Sequence, residues 1–398
     1  MRISTFWMQQ QSVNAMLDQQ AAVARTQLQL SSRKRILSPS DDPAGSAQAI
    51  GLGHADAALT QYQRNIDSVD ASLGLEDQTL SSVSDLLGRV RTLALEGGNG
   101  SMDADARKNL ATEVRQRLAQ LVQLGNTRDP GGDYIFAGAR TATQPFVQTP
   151  AGVSYAGDQQ QRAVAIAPGQ TIETGDPGSA VFQQIPSGNG YFELAAAPGN
   201  QGTLVSGATS VSDIAAWDRG SYQIAFTAPG SYEVRDASNN LVGSGSYSDP
   251  TTIEFRGVQV AFTGTPAAGD SYQVSPSGSK DMFSTLSEIA SALEATDLTP
   301  HDAAAISDRL GRAVDNLDRA SDRIVDIRAR IGARMNTADD QQSLNGSVAI
   351  DVKAQLGKVQ DVDYASAIST LSLQMTGLQA AQQTYAKLQG LSLFNYLK

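Results

Sequence analysis

From Leu59 to Ala94 apolar side chains recur at alternating spacings of three and four. They are Leu59, Tyr62, Ile66, Val69, Leu73, Leu80, Val83, Leu87, Val90 and Ala94, and Glu76 is the one residue off the pattern. A second run lies far downstream at Leu310, Ala313, Leu317, Ala320, Ile324, Ile327 and Ile331. A third closes the chain at Ile368, Leu371, Met375 and Leu378, continued by Gln382 and Tyr385. A sustained repeat of this kind specifies long helices packed knobs into holes along a seam. The runs sit near both ends, with a Gly-rich, helix-poor stretch between them. Ends that pair with each other around a looped-out middle suit a rod or tube subunit better than an enzyme.

Helix boundaries follow from local chemistry. Residues 3–30 place Ile3, Phe6, Val13, Leu17, Ala21, Ala24 and Leu28 on one face, flanked by glutamines. So thin an apolar face needs a partner helix. Ser38-Pro39 breaks the helix, and Asp42 before Pro43 reads as an N-cap with proline in the first helical position. The next helix runs to about Leu95 and is stopped by Gly97-Gly98-Asn99-Gly100. A shorter one starts near Asp103, carries Leu110, Val114, Leu118 and Leu121 on one face, and ends before Asp129-Pro130-Gly131-Gly132. Helical texture returns at Asp281, breaks before Leu298-Thr299-Pro300, and resumes from about His301 past Ile331 toward Leu344, Val348, Val352 and Leu356. Asp361 or Asp363 would cap the last helix.

From 133 to about 280, short alternating stretches such as Tyr222–Phe226, Thr252–Phe255 and Val258–Phe262 lie between Gly, Pro, Asn and Asp clusters. This pattern predicts antiparallel strands, with turns at Asn239-Asn240 and Arg256-Gly257. The fold class is therefore mainly α with a β-rich insert. It is an elongated multi-domain rod whose terminal helices pair as a coiled coil or helical bundle, with a central antiparallel β domain. Residues 1-42 plus 360-398 form a paired-helix domain, 43-132 plus 281-359 a long-helix bundle, and 133-280 an outer β-rich domain.

Composition narrows the function. The 398 residues carry a net charge of −11. That balance argues against nucleic acid or an anionic membrane as partner, since either wants a basic face. There is no cysteine, hence no disulfide and no thiolate metal site. No run of apolar residues is long enough for a membrane span. The opening residues lack the basic-then-apolar order of a cleavable signal peptide. His54 and His301 have no zinc-ligand spacing, and phosphate-binding loops, a nucleophile elbow and an EF-hand loop are missing. We expect no enzyme, no metal and no cofactor. The aromatics Tyr191, Phe192, Trp217, Tyr222 and Tyr232 would suit either a sugar platform or the core of a small β fold.

Several blocks then resemble one family, the flagellin-like axial proteins of the bacterial flagellum. They are the MRIST opening, SSRKRILSPSDDPAGSAQAI at 31–50, DYIFAG at 133–138, RIGARMN at 330–336 and the stretch from Gln360 to Lys398. LLGRVRTLALEGGNG, residues 86–100, resembles a flagellin segment too. The likeness covers roughly the first 140 and last 120 residues. Arg33 departs from it by standing where the family usually has glycine, which leaves the backbone conformation of that bend open.

The resemblance implies a structural adaptor that joins the hook, through another hook-associated junction protein, to the flagellin filament. Its alternatives are a flagellin-type filament subunit and a surface carbohydrate-binding module. It further implies a homo-oligomeric ring, a flagellar export chaperone as partner, and an extracellular location in the flagellum. Assembly contacts are expected at Ile3, Phe6, Val13, Leu17 and Leu28 of the first helix. On the last they are expected at Ile368, Leu371, Met375, Leu378, Tyr385 and Leu388, and in the apolar tail at Leu391, Leu393, Phe394, Tyr396 and Leu397. Arg89, Arg91, Arg323, Arg330 and Arg334 are candidates for lateral contact with acidic neighbours, or else for ion pairing on their own helix faces.

Overall fold

The computed structural model describes residues 2–100, 102–150, 152–228, 230–295 and 299–390, and side chains there except at 2–6, 8, 9 and 388–390. Six helices longer than ten residues stand among the described residues, three before the insert and three after it: α1 (Arg2–Ser32), α2 (Pro43–Gly97), α3 (Ala104–Gly125), then α5 (Met282–Glu294), α6 (Pro300–Gln360) and, last, α7 (Tyr364–Gly390). A single short helix, α4 (Gly178–Phe182), lies between α3 and α5. The caps are local. Asp42 Oδ1 accepts from Gly45 N at 2.9 Å, Asp103 Oδ1 from Ala106 N at 2.7 Å, and Asp281 Oδ1 from Ser284 N at 2.7 Å. Thr299 and Asp302 form a reciprocal capping box at the start of α6. Asp363, rather than Asp361, caps α7 by accepting from Ala365 N at 3.0 Å. Asn345-Gly346 does not interrupt α6, because Asn345 is buried and accepts from Gln341 Nε2 at 2.8 Å.

The chain divides into two compact units, residues 1–64 with 341–398 and residues 65–340. In the second unit, α2, α3, α5 and α6 surround one apolar core. Ile66, Val69, Leu73, Leu80, Val83, Leu87, Val90 and Ala94 of α2 are all buried in it. So are all seven apolar residues of the run from Leu310 to Ile331. Around this core the helices are tied by ion pairs: Arg89 to Glu113, Arg91 to Asp318, Arg115 to Glu294 and Arg328 to Asp77.

The stretch 133–280 divides between two cores. Its first part contains the hairpin β1 (Phe146–Thr149) with β2 (Gly152–Tyr155) and the hairpin β3 (Ala163–Ala167) with β4 (Gln170–Glu173). A short strand β5 (Ile185–Pro186) follows α4. This part shares the helical core through Phe136, Phe146, Ile166, Ile172 and Phe182. Phe146 stands 4.9 Å from Phe283 and 5.2 Å from Phe182, centroid to centroid. The ring is admitted by two glycines. A Cβ at Gly125 would lie 2.7 Å from it, and one at Gly178 2.8 Å.

The second part has its own core. It contains β6 (Phe192–Ala196), β7 (Val205–Val211), β8 (Tyr222–Ala228), β9 (Ser231–Asp236), β10 (Leu241–Ser246), β11 (Thr251–Phe255), β12 (Val258–Thr263) and β13 (Ser271–Pro276). One sheet has the order β10-β9-β8-β13-β6 and the other β11-β12-β7, all antiparallel. A last short strand, β14 (Ser279–Lys280), returns to β5. Phe192, Trp217, Tyr222, Phe226, Phe262 and Tyr272 fill the space between the sheets. Three of the five aromatics considered for a sugar platform, Phe192, Trp217 and Tyr222, are therefore core residues. Arg256-Gly257 closes β11 and β12 with φ of +46° and +74°, the mirror-image turn that matches strand twist.

Candidate assembly surface

In the first unit, α1 packs along α7. Val13, Met16, Val23 and Leu30 face the seam from α1, and Leu371, Leu378, Ala381 and Tyr385 from α7, all half-buried, with Thr26 and Ala367 buried. Polar side chains join across the seam. Thr26 Oγ1 donates to Gln374 Oε1 at 2.9 Å, and Gln19 Nε2 to the Gln374 carbonyl at 3.1 Å. Such bonds fix register, because a shift of either helix would leave their groups unpaired.

A different apolar set points outward. Leu17, Leu28, Ile368 and Met375 are exposed, with Leu373 at 72% and Trp7 at 68%. The flanking parts of α2 and α6 add Ile50, Leu344, Val348 and Ile350, the last 70% exposed. Charge is nearly absent from the pair. Between Arg2 and Ser32 it is limited to Arg2, Asp18 and Arg25, and from Tyr364 to Gly390 to Lys387. A face that is apolar and uncharged gains little from water and much from a packed neighbour. Of the residues expected to make assembly contacts, Val13, Leu371, Leu378 and Tyr385 thus lie in the intramolecular seam. Leu17, Leu28, Ile368 and Met375 lie on the outer face. The side chains of Ile3, Phe6 and Leu388, and the tail residues Leu391, Leu393, Phe394, Tyr396 and Leu397, fall outside the described residues. Trp7, Ile50, Ile350 and Leu373 were missed in the sequence because they sit outside the heptad phase.

The elbow joining α1 to α2 is tied to the one joining α6 to α7. Arg35 N donates to the Gln360 carbonyl at 2.7 Å, and Val362 N to the Arg33 carbonyl at 3.0 Å. Arg33 takes φ +60°, so the left-handed bend persists without glycine. Asp42 is held below the usual carboxylate range by the Gly45 N–H and then by Arg35. Asp41 is lowered in the same way by the N–H groups of Leu37 and Ser38.

The candidate lateral arginines mostly serve the chain itself. Arg89 and Arg91 pair with Glu113 and Asp318. Arg323 Nε donates to the Ala180 carbonyl at 2.9 Å, and Arg334 pairs with Asp176. Arg330 is exposed. Among the described residues, no group of three or more His, Cys, Asp or Glu could hold a metal ion, and no helix is long and apolar enough to cross a membrane.

Comparison with known proteins agrees with this arrangement. Residues 3–141 match the bacterial flagellin N-terminal helical region. The flagellar hook-associated protein 3 of Salmonella typhimurium is 26% identical over 394 residues, 99% of each chain. The crystal structure of Xanthomonas campestris FlgL is 36% identical with a TM-score of 0.73, covering 77% of this chain and 99% of that one. The flagellar junction protein FlgL from Legionella pneumophila is 29% identical with a TM-score of 0.68, over 71% and 96% of the two chains. The chain belongs to the flagellar hook-associated protein 3 family, and it is a structural component of the flagellum, not an enzyme.

Proposed function

We propose that this chain is the adaptor between hook and filament. It would join a hook-side junction protein to flagellin as a ring of identical subunits in the axial structure. The observation that carries this reading is the terminal helix pair, nearly free of charge, with apolar side chains turned outward. In this reading α1 and α7 pack against neighbouring copies in an inner layer, the long helices form the next layer, and the β-rich insert faces out. Arg330, with the outer ends of α2 and α6, would contribute lateral contacts. The subunit acts outside the cell after passing through the flagellar export channel. A chaperone covers the last helix until then, since an apolar, uncharged surface would otherwise associate early.

Deleting the gene tests the assignment. Hooks without filaments, with monomeric flagellin in the medium, are expected by electron microscopy and immunoblot. Filaments of normal length on the deletion strain would end the adaptor reading.

A further inference from the structure

Glu76 breaks the heptad pattern of α2, yet it is 1% exposed. Its Oε1 accepts from Asp176 N at 3.2 Å, while Oε2 is buried without a partner. Gly175 leaves the space beside it, where a Cβ would lie 3.3 Å from Oε2. The Asp176 carboxylate, also buried, takes Arg334 Nη2 at 3.0 and 2.9 Å and Gln161 Nε2 at 2.7 Å. Arg334 Nε lies 3.5 Å from Glu173 Oε2. One guanidinium of α6 therefore already serves two carboxylates from the end of the β3–β4 hairpin. Arg330 and Arg323 of α6 act on this cluster from farther away. An ionised Glu76 would add a third negative charge whose Oε2 accepts no hydrogen bond, offset in part by the charges of Arg334, whose buried Nη1 is also unpartnered, and Arg330.

The hairpin spans α2 and α6. Ile166 and Ile172 enter the helical core, and Asn65 Nδ2 donates to the Ala165 carbonyl at 2.6 Å. We propose that the β3–β4 hairpin is a strap across α2 and α6 whose closing strength is set by the proton on Glu76. It grips hardest in mildly acid surroundings and loosens as they turn alkaline. Burial, then the neighbouring Asp176, pushes the Glu76 carboxyl from 4.5 up to about 8. Its folded pKa is raised, so the closed form binds the extra proton between those values. The closing advantage is full below about pH 4.5 and is lost progressively up to about pH 8, where it levels off. The device belongs to the folded chain and does not rest on the adaptor reading.

Hydrogen exchange of the full-length purified chain from pH 5.5 to 7.5, corrected for intrinsic rates, tests it. Protection of amides 161–176 should fall about tenfold per pH unit, while amides 179–183 of α4 keep theirs. Glu76→Gln should flatten that slope, and Asp70→Asn, which removes another acid of α2, should leave it. Asp176→Asn should loosen the hairpin at every pH. A pH-independent hairpin in the natural chain, or an unchanged slope in E76Q, would overturn the proposal. Should E76Q not fold, the infrared band of a protonated carboxylic acid decides. Asp315, pushed up to about 6 by burial, is ionised by pH 7.5, so the band's presence at pH 7.5 in the natural chain and loss by pH 9.5 supports the strap, and its absence at pH 7.5 overturns it.

Discussion

The two units use apolar residues in opposite ways. Between residues 65 and 340, Leu73, Leu80, Leu87, Leu317 and Ile324 are completely buried, and every long helix has a covered face. In residues 1–64 with 341–398, the buried apolar residues among those described are Ile36 and Ala367, while Leu17, Leu373 and Ile350 lie open to solvent. One unit is a finished core. The other is a partial one, held by a narrow seam and a few polar bonds. A chain that joins two polymers needs both, since the first keeps the subunit folded before assembly and the second stores the drive for association.

Substitutions can break or sharpen this contrast. Leu73→Asp puts a charge in the finished core and should lower stability by more than about 4 kcal/mol, read by thermal denaturation of the purified chain. Its counterpart, Leu373→Asp, should leave the melting curve within about 0.5 kcal/mol of the natural chain. It should nevertheless abolish filament attachment, scored by electron microscopy. If both variants behaved alike, the division of labour would be wrong.

Phe146→Ala should cost about 3–5 kcal/mol, because the ring is enclosed by Phe182, Phe283 and two glycines. Thr26→Val removes the bond to Gln374 and should cost only about 1 kcal/mol by denaturant titration. Any larger effect on filament attachment would show that register matters beyond stability. The smallest change is Arg33→Gly. Glycine relieves a left-handed arginine at the elbow but loosens the unfolded chain, so a net gain of up to about 1 kcal/mol is expected.

Much of the fold is legible in residue order. The α2 and α6 seams stand out because every third or fourth residue is apolar over many turns, and the structure buries those residues from Ile66 onward and from Leu310 to Ile331. The terminal pair is less legible. Its heptad reads through Ile368, Met375 and Gln382, yet Ala367, Gln374 and Ala381 face α1 instead. Gln374 and Thr26 bond across the seam, and no apolar count can find them. Gln382 is exposed, which accounts for a glutamine at a position that the repeat would make apolar. Glu76 looked like a flaw in the repeat and is the deepest acid near the hairpin.

Element type and ends were set by the sequence itself. Asp42, Asp103, Asp281 and Thr299 cap helices through bonds that reach only three residues ahead. The tertiary structure decided which apolar stripe is covered and what a buried charge meets. Leu371 and Leu373 are both leucines in one helix, and only their contrasting exposure tells seam from outer face. Periodicity records that a stripe wants to leave water, whereas its partner lies hundreds of residues away in the chain.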